Sequence, residues 1–507
     1  MNRVFNYGIK LYLKARYNRI KRMRTQAPQI QKSTLESLLV RAKDTQYAKM
    51  HNFNWVDSPE EYSKNVPLTE YNDLRPYIYE MLDGAPDVLW RGRVKWFSKS
   101  SGTTSDRSKY IPLSEDALYK NNVASSWDSM AINYHNDPDS KIFWKKSLIM
   151  GGSLEPWPSN PNVHVGDVSA ILLKRMPSIG RPFYTPDFKT ALLPDWEEKI
   201  EIMSKKCVNQ DVVMFGGVPT WTIVLFNKIM EEQGVDNMLE IWPNAKYYMH
   251  GGVGFDPYID QFKEMFPDPD FQYYEVYNAS EGFFAVQDTK DDNGMLLMMD
   301  NDIYYEFISM EELTSENPQI TPLEEVQVNR NYAIVITTSS GLWRYMPGDT
   351  VMFTSTNPYR IKVSGRTKHF INVFGEEVMV GDTEKALAET IKSLPAMVKD
   401  YTVAPKFMSG SEKGGHLWLI EFDKLPDNID AFAMLLDDNL KKINSDYAAK
   451  RHKNMALNKL VIQPVPKGTF HKWLASKGKM GGQNKVPRLY NSRKYVDELL
   501  QFTGEPV

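Results

Sequence analysis

The chain has 507 residues, of which 42% are hydrophobic and 25% are charged, and its formal net charge is -3. These values fit a folded globular protein and disfavour extensive disorder, while the lack of a positive surplus disfavours binding to nucleic acid. No stretch approaches the roughly 18 consecutive apolar residues of a membrane-spanning helix. The single cysteine, Cys207, cannot form an internal disulfide, which favours a reducing, cytoplasmic location.

The first 24 residues are rich in Lys and Arg and contain no acidic residue. The apolar residues among them follow helical spacing, and one predicted face carries Phe5, Ile9, Leu13, Tyr17 and Ile20. Such a helix could lie on a membrane surface or dock on the protein body. We favour docking, because solvated basic faces are common in soluble proteins.

A segment rich in hydroxyl side chains, from Ser98 to Ser105, follows the apolar run VKWF and precedes Lys109. A strand that ends in such residues and a glycine directs N–H and O–H donors into one small volume, as a triphosphate requires. The chain contains no Walker A pattern. Taken alone, a segment of this kind is more often a surface loop.

Two later motifs could complete a nucleotide site. Gly251 and Gly252 follow the segment AKYYMH, and glycines allow the backbone to approach a ligand closely. In YEVYNASEGFF, residues 274–284, Tyr277 offers a flat face for a purine and Glu281 offers a carboxylate suited to Mg²⁺. Each also has an ordinary structural interpretation, as a turn glycine, a core aromatic residue or a surface acid.

Two strands are predicted at residues 332–338 and 349–355, because both segments are rich in β-branched residues and the turn-forming SSG and MPG lie between them. Asp349 lies at the start of the second strand. Its carboxylate could accept hydrogen bonds from both hydroxyls of a ribose, or it could stabilise its own turn.

The C-terminal part begins with a change of character at GRTKH, residues 365–369. Residues 429–452 predict one long helix with an acidic start and a basic end. Strands and helices together predict an α/β or mixed α+β architecture. We expect a large domain of residues 1–365, a smaller mobile domain of residues 366–507, and a hinge at 365–369.

A late lysine, Lys485, lies within GGQNKVPR beside two glycines that would let a loop approach a ligand. A lone lysine is normally just solvated. Its significance depends on the motifs that precede it.

The ordered set of these motifs resembles the adenylate-forming superfamily of acyl ligases. The set is SSGTTS, a GG loop, Y-x-x-S-E, YxxGD, GRxK and the late lysine. Within the superfamily, VPLTEYNDLRPYI (66–78), YNASEGFF, ITTSSGLWRYMPGD, KGTFHKWL and GGQNKVPR resemble the Gretchen Hagen family of acyl acid amido synthetases, known best from plant hormone conjugation. The resemblance spans about residues 66 to 490 and is that of a non-plant member.

The resemblance implies that ATP and Mg²⁺ activate a small carboxylic acid as an acyl adenylate, which an amine, expected to be an amino acid, converts into an amide. It implies Lys485 and Glu281 as catalytic residues, Glu281 as the Mg²⁺ ligand, and Lys368 as part of the hinge. The implied ATP-binding residues are Ser100, Ser101, Gly102, Thr103, Thr104, Gly251, Gly252, Tyr277, Ser280, Asp349 and Arg366. An acyl-CoA ligase and a non-catalytic nucleotide-binding relative stay open as alternatives.

Overall fold

The computed structural model covers most of the chain. The residues that it describes are 2–100, 109–252, 255, 258–290, 292, 294–313, 315, 317–367, 370–376, 378–408, 413–452, 456–477 and 486–503. Within these residues no helix is long and apolar enough to cross a membrane.

The N-terminal segment is helical. It comprises α1 (Asn2–Thr25), α2 (Ala27–Ala42), α3 (Gln46–Met50), α4 (Pro59–Asn65) and α5 (Tyr71–Leu82). The predicted docking of the basic helix is confirmed, because Ile9, Leu13, Tyr17 and Ile20 are buried. The side chain of Phe5 lies outside the described residues.

The basic side chains of α1 contribute to its docking. Arg16 forms an ion pair with Asp128 at 2.7 Å, and Arg24 forms one with Asp288 at 2.5 Å. Both carboxylates are almost fully buried, so the arginines supply the charge partners that buried carboxylates require. Arg16 and Arg24 therefore have a structural role in the docking of α1.

The next segment contains the hydroxyl-rich motif and the helices that follow it. It comprises β1 (Trp96–Ser100), β2 (Lys109–Leu113), α6 (Glu115–Ala117), a π-helix (Leu118–Val123), α7 (Ala124–Asn136), β3 (Lys146–Ile149), β4 (Leu154–Trp157), β5 (Asn160–Gly166), α8 (Val168–Lys174), β6 (Tyr184–Thr185), α9 (Phe188–Ala191) and α10 (Trp196–Cys207). Strands β2, β1, β5 and β4 form a small sheet in that order.

The middle of the chain supplies most strands of the central sheet. It comprises β7 (Val212–Gly217), α11 (Pro219–Gln233), β8 (Tyr247–His250), α12 (Ile259–Met265), β9 (Gln272–Ala279), β10 (Gly282–Gln287), β11 (Met295–Leu297), β12 (Ile303–Ser309), β13 (Ile320–Thr321), β14 (Asn331–Thr338), β15 (Asp349–Thr356) and β16 (Tyr359–Arg366). The predicted strands at 332–338 and 349–355 are confirmed as β14 and β15, which pair antiparallel.

The central sheet has 12 strands in the order β13-β12-β14-β15-β16-β11-β10-β9-β8-β7-β3-β6. Strands β9, β8, β7, β3 and β6 pair in parallel, and the remaining neighbours pair antiparallel. The predicted mixed α and β architecture is confirmed. The change from parallel to antiparallel pairing falls at β9, which carries Tyr277.

The C-terminal part forms smaller sheets with helices. It comprises β17 (Phe370–Ile371), β18 (Val378–Met379), α13 (Val380–Ser393), β19 (Met397–Lys406), β20 (Gly415–Lys424), α14 (Ile429–Ile443), α15 (Ser445–Arg451), β21 (Val461–Val465), α16 (Thr469–Ser476) and α17 (Lys494–Thr503). The prediction of one helix over residues 429–452 is wrong, because Asn444 has extended dihedral angles and its side chain accepts a hydrogen bond from the Tyr447 N–H at 2.7 Å. Asparagine is a strong N-cap, so it starts a second helix there.

The C-terminal part packs against the parallel half of the central sheet. Phe374 and Trp418 share one buried core cluster with Phe215 and Phe262. The division into residues 1–365 and 366–507 stays a prediction. In this arrangement, a hinge motion would have to expose part of a shared apolar interface.

Candidate active site

The β9–β10 hairpin places two of the predicted site residues at its tip. Ala279 pairs with Gly282, so Ser280 and Glu281 form the two-residue turn between the strands. The Ser98 hydroxyl donates to the Ser280 hydroxyl at 2.9 Å. The beginning of the hydroxyl-rich motif and the tip of the YNASEG motif therefore lie side by side.

Asp349 is held from two sides by residues of the other motifs. The Tyr277 hydroxyl donates to one carboxylate oxygen at 2.5 Å, and the Arg366 Nε donates to the other at 2.7 Å. Strands β15 and β16 place Asp349 directly opposite Arg366. Charge-assisted hydrogen bonds are stronger than neutral ones and fix geometry, so the carboxylate has a defined orientation.

The environment of Tyr277 differs from that of an open stacking surface. Tyr277 is buried and packs its ring edge-on against Phe284, with ring centroids 4.7 Å apart. Burial, with Asp349 beside it, raises the pKa of Tyr277 well above its usual value, so its hydroxyl stays a donor. The Tyr277 hydroxyl contacts Asp349, the residue predicted to bind the ribose. The predicted contact of Tyr277 with adenine stays a prediction.

Replacement of Asp349 by alanine should weaken ATP binding, because the ribose hydroxyls would lose a charged acceptor. Hydrogen bonds to charged groups contribute ~1.5–3 kcal/mol each, which corresponds to roughly 10-fold or more in affinity for one bond. Isothermal titration with ATP measures the change. Asp427→Ala removes an exposed carboxylate elsewhere and is the control; equal affinities in both variants would remove Asp349 from the site.

The carboxyl group of Glu281 lies in an environment that disfavours its ionised form. Burial raises its pKa to about 7, the negative charge of Asp349 adds to the effect, and Lys109 and Arg366 oppose it. Although part of the residue is exposed, the carboxyl group is well covered by neighbouring protein. A bound cation would favour the ionised form, so this carboxyl is suited to a metal that arrives with a nucleotide.

The residues fit Mg²⁺ better than a metal that needs a protein cage. Among the described positions no group of three or more His, Cys, Asp and Glu side chains could hold a metal ion. Mg²⁺ bound to nucleotides commonly uses one or two carboxylates together with phosphates and water. A single acid such as Glu281 is therefore a sufficient protein contribution.

The raised pKa of Glu281 predicts a pH dependence of stability in the absence of ligands. Because the folded chain holds this proton more tightly than the unfolded chain, stability falls as pH rises from about 4.5 to about 7. Glu281→Gln should therefore stabilise the protein at about pH 8 and have little effect at about pH 4.5 and below. Thermal unfolding at both pH values checks this, and equal shifts at both would contradict it.

Arg344 is a residue of the site region that the sequence did not single out. It is buried with a positive φ of 42°, and its Nε lies 3.1 and 3.0 Å from the two carboxylate oxygens of Glu306. Its Nη1 donates at 2.7 Å to the carbonyl oxygens of Ser63 and Val66. The arginine thus connects the segment that leads to Asp349 with the N-terminal helices.

The glycine pair after β8 is required by its surroundings. A Cβ atom on Gly251 would lie 2.3 Å from the carbonyl oxygen of Val276, and Gly252 has a φ of +83°. No side chain fits the first position, and the second favours glycine. The close approach brings this turn against β9, which leads to Tyr277.

A cavity of about 580 Å³ lies against the parallel half of the central sheet. Gly251, Gly252, Asn278 and Ser280 line it, so it reaches the motifs predicted for the nucleotide. Most of its other lining residues are apolar, and they come from many elements, among them α7, β3, α8, β7 and β8. No sequence motif predicts this cavity, because most of its walls come from elements that carry no motif.

Several predicted site residues lie outside the described part of the chain. They are Ser101, Gly102, Thr103, Thr104, Lys368 and Lys485. For Ser100 only the backbone is described, and it pairs with Lys109 across the β1–β2 hairpin. The roles of all these residues stay predictions.

Family models match the chain along most of its length. They are the GH3 family N-terminal domain (residues 16–195 and 154–271), the GH3 family central domain (296–366) and the GH3 family C-terminal domain (381–494). The chain belongs to the GH3 family. This confirms the resemblance to the Gretchen Hagen amido synthetases.

Curated relatives of the GH3 chain agree in length with it. An indole-3-acetic acid-amido synthetase of Arabidopsis thaliana, GH3.3, is 22% identical over 90% of this chain and 89% of its own. A jasmonoyl–L-amino acid synthetase of Nicotiana attenuata, JAR4, is 22% identical over 91% of both chains. These relatives are ligases, and the GH3 chain is an enzyme of the same ligase type.

Solved structures show the same fold. The acyl acid amido synthetase GH3.15 aligns with a TM-score of 0.60 at 20% identity, covering 96% of both chains. A 2-hydroxyisobutyryl-CoA ligase in complex with an acyl adenylate and CoA aligns with a TM-score of 0.53 at 13% identity, covering 92% of both. The fold is therefore that of the adenylate-forming ligases.

Proposed function

We propose that the chain uses ATP to activate a carboxylic acid as an acyl adenylate and then transfers the acyl group to the amine of an amino acid. The proposal depends chiefly on the way the motifs meet: Ser98 donates to Ser280 in the turn that also contains Glu281, and Tyr277 and Arg366 hold Asp349. Adenylation followed by amide formation is the chemistry of the GH3 amido synthetases. We also propose a cytoplasmic location, since the one cysteine is buried and free.

In the first half-reaction a carboxylate oxygen of the acid attacks the α-phosphorus of ATP, and pyrophosphate leaves with the electron pair of the broken bond. Asp349 would accept hydrogen bonds from the ribose, while Ser101, Thr103 and Thr104 would donate to the phosphates. Lys485 would stabilise the charge that develops at the α-phosphate. Glu281 would hold Mg²⁺, which neutralises phosphate charge when bound.

In the second half-reaction the amine nitrogen attacks the acyl carbonyl carbon, AMP leaves with the electron pair of the broken bond, and the amine loses a proton. Two reactions at one adenylate require different groups around it. A rotation of residues 366–507 about a hinge at 365–369 would exchange these groups. Arg366 lies at this hinge and also binds Asp349, which connects the hinge directly to the nucleotide site.

Limited proteolysis tests the hinge. Without ligand, the protease should cut chiefly within residues 365–369. A non-hydrolysable acyl-adenylate mimic should slow this cleavage, because a ligand bound at Asp349 would fix Arg366. Peptide mass mapping identifies the cut. Cleavage at the same rate with and without the mimic would count against the hinge.

The transfer of the acyl group to CoA is a second candidate, because the fold is shared with a CoA ligase. A screen of carboxylic acids for acid-dependent ATP–pyrophosphate exchange identifies the acid first. Amino acids and CoA are then supplied in separate reactions, and mass spectrometry identifies the product. An amide supports the proposal, a thioester without amide supports the CoA ligase, and the absence of exchange with every acid supports a non-catalytic relative.

A further inference from the structure

The floor of the cavity is one face of the parallel half of the central sheet. Successive side chains of a strand point to opposite faces, and every second residue of four neighbouring strands lines the cavity. These residues are Ser147 and Ile149 on β3, Met214 and Gly216 on β7, Met249 and the adjoining Gly251 on β8, and Val276 and Asn278 on β9. The buried Phe215, between Met214 and Gly216, packs in the core on the other face.

Gly216 leaves a gap in the middle of this floor. It pairs with Ile149 on one side and with Met249 on the other, so three floor positions lie side by side and the central one has no side chain. A Cβ atom there would lie 3.5 Å from the Met249 carbonyl oxygen and 3.9 Å from Ile149 Cγ1. These are ordinary contacts, so the backbone does not require glycine here.

The walls are apolar and adaptable. Five methionines line the cavity, and they are Met130, Met150, Met176, Met214 and Met249. Methionine is unbranched and has several rotatable bonds, so surfaces rich in it adjust to flexible ligands. A wall of this kind suits a ligand that has many conformations.

Several polar groups on the walls already have partners within the protein, whereas Asn278 Oδ1 and Trp221 Nε1 are buried without one among the described residues. Lys99 forms an ion pair with Glu155 at 3.1 Å, and Asp167 accepts a hydrogen bond from the Ser153 N–H at 2.7 Å. The Tyr184 hydroxyl donates to a backbone carbonyl at 2.8 Å. Because Lys99, Asp167 and Tyr184 are engaged, these three groups do not call for a second polar group on the ligand.

The size of the cavity favours a ligand larger than a small acid. Pockets of ~300–1,000 Å³ hold ligands of drug size, and this cavity is about 580 Å³. A single aromatic ring would leave much of the apolar space unfilled, which is unfavourable. A long unsubstituted chain would fill it without demanding a polar partner.

We infer that the acyl substrate is a long-chain aliphatic acid whose carboxylate lies near Ser280 and whose tail lies over Gly216. The inference rests on the proposed function, which identifies the site where the acid reacts. It extends that function by naming the substrate class. Each methylene that enters an apolar site increases affinity about fourfold. Chain length is therefore the property that the cavity selects.

Exchange kinetics with saturated acids from butanoate to hexadecanoate test this. We expect kcat/KM to rise about fourfold per methylene and then level off when the cavity is full, and to exceed the values for benzoate and indole-3-acetate.

Gly216→Leu should lower kcat/KM for the long acids about 10-fold or more and leave the shortest acids unchanged, with Gly216→Ala between. Gly381→Leu adds the same side chain at an exposed position with nothing within 4 Å and should behave as the wild type.

A second measurement does not depend on catalysis. Trp127, Trp196 and Trp221 line the cavity, so binding of a long-chain acid should change tryptophan fluorescence, and Gly216→Leu should weaken that binding. Thermal unfolding of each variant confirms that it is folded. Exchange that is independent of chain length, or highest with a compact aromatic acid, would overturn the inference and leave the adenylation proposal intact. If no acid supports exchange, the adenylation proposal fails, and the fluorescence titration still decides whether the cavity binds long chains.

Discussion

Replacement of Lys485 by alanine is expected to lower acid-dependent ATP–pyrophosphate exchange by ~100-fold or more, because a fixed charge partner of the transition state is lost. The affinity for ATP should change little. A group that acts mainly when charge gathers at the α-phosphate contributes to the rate and not to ground-state binding. The effect should therefore appear in kcat and kcat/KM alike.

Two further variants separate a catalytic role from a general charge effect. Lys477→Ala removes a surface lysine that forms an ion pair with Glu498, from the same C-terminal segment, and it should exchange at the wild-type rate. Lys485→Arg keeps the charge but changes its shape, and it should recover only part of the activity. Wild-type exchange in Lys485→Ala would remove this residue from the adenylation step.

Sequence patterns predicted the local parts of the fold. Strands β14 and β15 followed from their β-branched residues. The apolar face of α1 followed from the helical spacing of Ile9, Leu13, Tyr17 and Ile20, and its docking was favoured because solvated basic faces are common. The break at Asn444 was missed, because the apolar and charge pattern continues across it. The extended conformation of Asn444 and the hydrogen bond that its side chain accepts from the Tyr447 N–H distinguish two helices from one, and both depend on local conformation.

The motifs predicted which segments form the site but not how their side chains pair. Tyr277 and Asp349 are separated by 72 positions, and their contact depends on the order of the five strands from β9 to β15 in the central sheet. The cavity depends even more on strand order. Gly216 leaves a gap in the cavity floor only because Ile149 and Met249 lie on either side of it in the sheet. Strand order and register are properties of the whole chain, and no short pattern contains them.

Replacement of Arg344 by methionine is expected to lower the free energy of unfolding substantially. Arg344 and Glu306 are both only 4% exposed in their side chains, and burial raises the pKa of Glu306 while Arg344 opposes that rise. Removing one partner of a buried ion pair typically costs ~3–5 kcal/mol, since the other charge stays buried without compensation. Denaturant unfolding should report a loss of that size.

The double variant Arg344→Met/Glu306→Leu should recover much of the lost stability, because replacing both charges by apolar groups leaves no uncompensated carboxylate. Arg330→Met breaks an exposed pair with Glu311 and should have no measurable effect. Recovery will be incomplete if the carbonyl oxygens of Ser63 and Val66 lose their donor as well. A double variant as unstable as Arg344→Met would mean that these backbone contacts, and not the ion pair, hold the segment that carries Asp349.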